Sequence, residues 1–302
     1  MNLKVKIADV EFKNPIITAS GTFGFGKEYS EFYDIAALGG VCTKGVTIAP
    51  RLGNPAPRIA ETPQGLLNSV GLQNPGVDAF IEEDLPFLLG KDLVTIVNIA
   101  GSTDDDYCRV AEKVSATGAH MIELNISCPN VKAGGMAFGI EPQSVFDITS
   151  KVRKVCKKPL IVKLSPNVAD IGTNAVAAQD GGADAVSLIN TVTGMAIDRF
   201  KRRPILANVT GGLSGPCVKP IALRMVHEVY KRVNIPIIGL GGIMNAADVV
   251  EFLIAGATAV QVGSANIFDP NAAFNIVNEL TKELECCRIS DVNEAIGSLC
   301  IS

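Results

Sequence analysis

Three side chains capable of chemistry stand at the ends of apolar runs. ELNISCPN (Glu123–Asn130) carries Cys128 just past a strand-like stretch. A thiol of ordinary pKa near ~8.5 can deprotonate a carbon acid once its surroundings favour the thiolate. An inert small hydrophobe is the bland alternative. Lys44 (VCTKG) and Lys163 (IVKLSPN) end two further runs. Such a lysine can form a Schiff base, or stay cationic and offset negative charge on a bound group, or simply pair with a structural carboxylate. The residues alone do not choose. Histidine is scarce: only His120 and His227 occur, so acid/base work falls to another residue type. The eight cysteines form no C-x-x-C pair and no Cys/His cluster, which argues against disulfides, zinc and iron–sulfur ligation by this chain.

Two glycine-bearing segments follow apolar runs near the end, GLGGI (Gly239–Ile243) and VGSAN (Val262–Asn266). Glycine lets backbone N–H groups approach an anion, and a following helix adds a favourable field. Tight turns are the plainer explanation for either segment alone. Together they point to a phosphate-bearing ligand. No G-x-G-x-x-G follows a strand, and no G-x-x-x-x-G-K-[ST] occurs, so a mononucleotide such as FMN fits better than a dinucleotide in a Rossmann crevice.

The elements that must position these residues are legible as continuous apolar runs. They are Ile16–Ala19, Gly40–Thr47, Val94–Ala100, Met121–Ser127, Leu160–Ser165, Ala185–Thr191, Ile237–Gly241 and Ala259–Gly263. Continuous apolarity marks strands covered on both faces. Amphipathic stretches separate them, including Thr103–Thr117, with Ser102 as its expected N-cap, and Lys219–Arg232. Eight strands, each followed by helix, predict an α/β (β/α)₈ barrel, with a doubly wound sheet as the alternative. Residues 3–12 read as a hairpin at the barrel's bottom. Two long connections, from Ile48 to about Phe80 and from Val192 to about Pro220, follow strands and so belong to the active face. That face would also carry Ser20, Asn98, Asn125, Asn190, Thr191 and Ser264.

Composition agrees with one domain spanning residues 1–302. The chain is 47% hydrophobic and 19% charged, and 27 Lys+Arg against 31 Asp+Glu leave −4, with no basic stripe for nucleic acid. No apolar run reaches the ~18 residues of a membrane helix, and the N-terminal residues lack an export pattern. A cytoplasmic location is expected.

From Asn14 to Asp269 the sequence resembles the class 1 dihydroorotate dehydrogenases. The resemblance rests on NPIITASGTFGFG (Asn14–Gly26), GNPAPR (Gly53–Arg58), NSVGLQNPG (Asn68–Gly76), ELNISCPNVKAGGMAFG (Glu123–Gly139), VKLSPN (Val162–Asn167), LINT (Leu188–Thr191), TGGLSGP (Thr210–Pro216) and IPIIGLGGI (Ile235–Ile243). It implies an FMN-binding barrel that oxidises dihydroorotate to orotate in pyrimidine synthesis. FMN would be held by Ser20, Lys44, Gly45, Asn98, Asn125, Lys163, Ile189, Gly215, Gly241, Gly242, Gly263 and Ser264. Substrate would be clamped by Lys44, Asn68, Ser69, Val70, Gly71, Leu72, Asn125, Asn190 and Thr191. Cys128 matches the family's base, where the membrane-linked class 2 enzymes use serine.

NVKAGGMAFG after Cys128, and Thr210–Val229, are similar to the NAD-linked type, class 1B. That type implies a partner subunit, an iron–sulfur flavoprotein with FAD and a [2Fe–2S] cluster, in a heterotetramer of two and two chains. The fumarate-linked class 1A is the nearer alternative. A Schiff-base lyase built on Lys163 is the remote one.

Overall fold

The computed structural model describes residues 1–127 and 136–301. Cys128 therefore lies outside the described residues. Eight parallel strands close a barrel: β3 (Ile16–Thr18), β4 (Gly40–Cys42), β7 (Val94–Ile99), β8 (Met121–Asn125), β9 (Leu160–Lys163), β10 (Ala185–Leu188), β15 (Ile237–Leu240) and β16 (Ala259–Val262). They neighbour one another in chain order, and β16 pairs back onto β3. Every residue of these strands is buried, which is why the runs are apolar throughout instead of alternating. The predicted (β/α)₈ barrel is the fold.

Each barrel strand ends before the apolar run does. The run Gly40–Thr47, for example, is strand only to Cys42. Asn125 and Lys163 are the last residues of their strands, and Ser20, Lys44, Asn190, Thr191 and Ser264 sit just past the ladder on the C-terminal rim, as barrel active-site residues do. Helices Asp104–Ser115, Pro142–Val155, Ile171–Asp180, Lys219–Tyr230, Ala246–Ala255 and Ala272–Cys286 cover the outside. The connection from β3 to β4 departs from the expected strand-then-helix rule. It holds only two 3₁₀ turns, Tyr29–Glu31 and Ile35–Ala37. The last helix covers that gap: Phe274 stacks on Tyr33 at 5.1 Å.

Thr103, not Ser102, caps the helix Asp104–Ser115. Its side chain accepts from the Asp106 N–H, and Asp106 returns the bond to complete a capping box. The predicted hairpin is β1 (Val5–Ile7) with β2 (Val10–Phe12). Phe12 is fully buried and approaches Gly40, at the N-terminal end of β4, so the hairpin closes the bottom of the barrel.

The two long connections are more ordered than loops. β5 (Ile59–Thr62) and β6 (Gly65–Asn68) come from the first. The second supplies β11 (Val192–Met195), β12 (Ile197–Asp198), β13 (Arg203–Pro204) and β14 (Thr210–Ser214). They join as an antiparallel sheet of order β11-β14-β6-β5, with Gly212 opposite Asn68 and Ser214 opposite Leu66. β12 and β13 pair separately. Among the described residues, no helix is long and apolar enough to cross a membrane.

Asp170 caps the helix Ile171–Asp180 by accepting from the Gly172 and Thr173 N–H groups. Its carboxylate is pulled down to about 2, chiefly by the hydrogen bond from Arg232 and next by Thr173. A depressed carboxylate stabilises the fold above its ordinary value and loses that contribution as pH falls through the folded value. Both partners are half exposed, so the cap sets the scale more than the ion pair does. Asp170→Ala is expected to cost about 1 kcal/mol in urea unfolding at pH 7. The difference from wild type should shrink as pH falls from 4 towards 2. A difference that grows on acidification contradicts this account.

Candidate active site

A cleft, partly open to solvent, lies over the C-terminal rim between the barrel and the antiparallel sheet. Of the residues expected to hold a cofactor, Ser20, Lys44, Gly45, Asn125, Lys163, Ile189, Gly241, Gly242, Gly263 and Ser264 line it. Of those expected to hold substrate, Asn68, Val70, Gly71, Leu72, Asn190 and Thr191 line it too. The sheet explains the second set, because β6 carries Asn68 over the barrel mouth.

Three expected residues stand one layer back. Asn98 is fully buried beneath the cleft and touches Asn125 and Glu123. Ser69 is fully buried, its hydroxyl unpartnered among the described residues. Gly215 contributes its carbonyl behind Gly242, where a Cβ on Gly242 would meet that oxygen at 2.8 Å.

Beneath the cleft lies a buried carboxylate. Glu123, fully enclosed on β8, accepts from donors on five other barrel strands. Its Oε1 takes bonds from Asn98 Nδ2 at 2.7 Å, Cys42 Sγ at 3.2 Å and Lys163 Nζ at 3.4 Å. Its Oε2 takes Ser187 Oγ and Gln261 Nε2, both at 2.8 Å. Gln261 Oε1 in turn accepts from Lys163 Nζ at 3.4 Å. Burial opposes the charge on Glu123. The Lys163 ammonium, then the bonds from Gln261, Ser187 and Cys42, outweigh it and hold the carboxyl below its ordinary value. The same burial, followed by the Glu123 charge, pushes the Cys42 thiol well up, so it stays a neutral donor.

Neither Glu123 nor Gln261 was singled out from the sequence. The available signal was a charged residue and an amide inside otherwise apolar strands, MIELN and AVQV. A polar side chain there needs partners across the barrel. The pairing also decides between the uses of Lys163. An ammonium held against a buried carboxylate is a poor amine nucleophile, which disfavours the Schiff-base lyase.

The opposite end of the cleft is built from backbone. Gly242, Ile243 and Ser264 are buried and line it, and their N–H groups find no acceptor among the described residues. Buried unpaired N–H groups are rare, and three on adjacent strand ends form an anion cradle. Gly241 and Gly242 have φ of +131° and +76°, which explains them as turn residues. Gly263 has no such constraint. A Cβ there would meet only Ala19 Cβ, at 3.5 Å, so the protein itself leaves that space empty. The residues present therefore fit a phosphorylated ligand.

Comparison with known proteins agrees with this geometry. The family model for dihydroorotate dehydrogenase matches residues 2–284. The chain belongs to the dihydroorotate dehydrogenase family. It is 57% identical over 299 residues to a protein of Alkaliphilus metalliredigens, and 55% identical over 299 residues to one of Thermoanaerobacter pseudethanolicus. Both are named dihydroorotate dehydrogenase B (NAD(+)), catalytic subunit, and the matches cover 99% of this chain and 99% of each relative. A protein of the same name from Geotalea uraniireducens is 54% identical over 99% of this chain and 98% of its own length. The family match extends beyond the Asn14–Asp269 stretch that carries the resemblance in sequence, at both ends.

Ser187 lies outside the cleft lining and, among the described residues, makes its side-chain bond to Glu123 alone. Ser187→Ala is expected to destabilise the chain by about 1–3 kcal/mol in urea unfolding, because it strips one donor from a buried charge. A cost below about 0.5 kcal/mol contradicts the arrangement around the carboxylate described here.

Proposed function

We propose that this chain is the catalytic subunit of an NAD-linked dihydroorotate dehydrogenase, oxidising (S)-dihydroorotate to orotate with FMN in the cytoplasm. The observation that carries the reading is one cleft with an anion cradle at Gly242, Ile243 and Ser264 and a lysine–amide wall of Lys163, Asn125 and Asn190. Family membership and the names of the relatives support it.

In this reading the N–H groups of Gly242, Ile243 and Ser264 would hold the FMN phosphate, and the open space at Gly263 would admit the cofactor. FMN, when bound, accepts the hydride that leaves C6 of the substrate. The rest falls to the chain's own side chains. Dihydroorotate carries ring amides and a carboxylate, and Asn68, Asn125, Asn190 and Thr191 supply amide and hydroxyl groups to read them. Lys44 supplies positive charge for the carboxylate. Cys128, as the resemblance implies, takes the C5 proton as a thiolate. Two electrons leave as hydride and one proton goes to sulfur, which balances the formation of the ring double bond. Lys163, paired with Glu123 at 3.4 Å, would stabilise negative charge developing on the bound groups. The cover provided by β5, β6, β11 and β14 keeps bulk water from the reacting carbons.

The electrons then pass to NAD through an iron–sulfur flavoprotein partner carrying FAD and a [2Fe–2S] cluster, two copies of each chain assembling together. The words "catalytic subunit" in the relatives' names support a separate partner.

The reading predicts a yellow protein that anaerobic dihydroorotate bleaches, with NAD reduced only once the partner is added and fumarate giving no turnover. A chain that stays colourless after reconstitution with FMN contradicts it. Cys128→Ala should retain FMN and bleach about 10²–10⁴-fold more slowly in stopped-flow absorbance. Bleaching at the wild-type rate contradicts Cys128 as the base. Gly263→Val should leave the thermal midpoint of the apoprotein within a few degrees of wild type, at roughly the scale of a neutral surface change. The same variant should abolish FMN uptake in a fluorescence titration, and normal uptake contradicts the placement of the cofactor.

A further inference from the structure

Glu123 does more than balance Lys163. An ionised carboxylate has acceptors and no donor, so every neighbour must turn a donor towards it. Asn98 therefore gives Glu123 its Nδ2, at 2.7 Å, and is left with Oδ1 facing Asn125. That oxygen accepts from Asn125 Nδ2 at 3.3 Å. Asn125 Oδ1 then accepts from the Ser127 N–H at 3.3 Å and from Ser127 Oγ at 3.0 Å. Having donated its only proton, Ser127 Oγ can only accept, and Asn190 Nδ2 supplies the bond at 2.8 Å. Asn190 Oδ1 accepts from the Thr191 N–H at 2.8 Å. Asn98 is oriented by Glu123, whereas Asn125 and Asn190 are also held by the Ser127 and Thr191 backbone N–H groups, so Asn98 must present its oxygen to an Asn125 Nδ2 that is already fixed. On the other side, Gln261 gives Nε2 to Glu123 and so turns Oε1 to Lys163.

We infer that Glu123 is a positioning residue for the ligand-reading wall: it holds Asn98 with Oδ1 towards Asn125 and so matches the polarity that the Ser127 and Thr191 backbone N–H groups impose on Asn125 and Asn190. With both lone pairs of Oδ1 filled by Ser127, Asn125 offers the cleft an N–H and no acceptor. The wall thus selects ligands that present oxygen acceptors there, such as a planar ring imide or carboxylate. A donor in that place meets a donor. The inference rests on the proposed activity for the identity of the ligand, and extends it to a residue that lines no part of the cleft.

The test is Glu123→Gln in the FMN-loaded chain, read by orotate binding through the change in flavin absorbance and by the midpoint potential of the flavin. A glutamine must turn its own NH₂ to one side of the site, against Asn98 or against Ser187 and Gln261, and it removes the negative charge beside Lys163. Orotate affinity should fall about tenfold or more, the cost of one donor–donor conflict. The potential should move to more positive values, since the uncompensated ammonium favours the reduced cofactor. Glu123→Asp, which keeps the charge, should restore the potential. Wild-type affinity together with wild-type potential in Glu123→Gln overturns the inference.

Should Glu123→Gln fail to fold, Asn98→Ser interrupts the relay while leaving the ion pair intact. It should weaken orotate binding and leave the potential unchanged, and wild-type orotate affinity in Asn98→Ser overturns the relay. A wild-type chain that takes FMN but binds no orotate sinks the proposed activity instead. The role of Glu123 is then judged on the potential, and equal values in wild type and Glu123→Gln overturn it.

Discussion

A single buried negative charge organises this barrel. Enclosing an isolated carboxylate costs several kcal/mol, and the folded state tolerates it only when the charge is paired and its lone pairs are filled. Glu123 meets both conditions with Lys163, Asn98, Cys42, Ser187 and Gln261, one from each of five other strands. Six of the eight barrel strands are thereby tied at one level, directly beneath the cleft. The constraint is mutual. Strand register is held by the carboxylate, and the carboxylate keeps its charge because the register delivers five donors.

Above that level the two ends of the cleft work by different physics. Near β15 and β16 the recognition groups are backbone N–H groups, whose geometry is set by strand ends and turns and does not depend on side-chain rotamers. Towards β8, β9 and β10 the groups are lysine and amide side chains, whose orientation would be ambiguous without a fixed reference. Glu123, together with the Ser127 and Thr191 backbone N–H groups, is that reference. A cofactor phosphate needs a rigid, undemanding cradle, while a substrate with alternating donors and acceptors needs polarity. The fold separates the two requirements along one rim, and the antiparallel sheet from the two long connections closes over both.

Much of this was legible in the sequence. The eight apolar runs mark the barrel because a strand buried on both faces has no alternative to continuous apolarity. The rim residues are legible because polar side chains at the ends of such runs must lie at the barrel mouth. What was not legible has physical causes too. β5, β6, β11 and β14 are short strands separated by glycine and proline, in GNPAPR and TGGLSGP, and their pairing spans about 145 residues of chain. Local pattern carries no such information. Thr103 displaced Ser102 as the cap because the reciprocal bond comes from Asp106, three residues after threonine. Asn98 reads as a rim residue from its place near a strand end, yet it faces inward to the carboxylate and reaches the cleft only through Asn125. Glu123 itself was hidden in a motif where attention falls on the cysteine five residues later.

The central claim is that Glu123 is ionised inside the barrel at neutral pH. Isotope-edited infrared spectroscopy of the carboxyl groups tests it most directly, comparing wild type with Glu123→Gln across pH. The account predicts that the variant loses a carboxylate stretch at pH 7, and that no protonated-acid band belonging to Glu123 appears until pH falls below the ordinary glutamate value. A band from a protonated, buried carboxylic acid at pH 7, absent from the variant, would contradict it. Glu123 could then donate as well as accept, and the orientation of Asn98 would lose its cause.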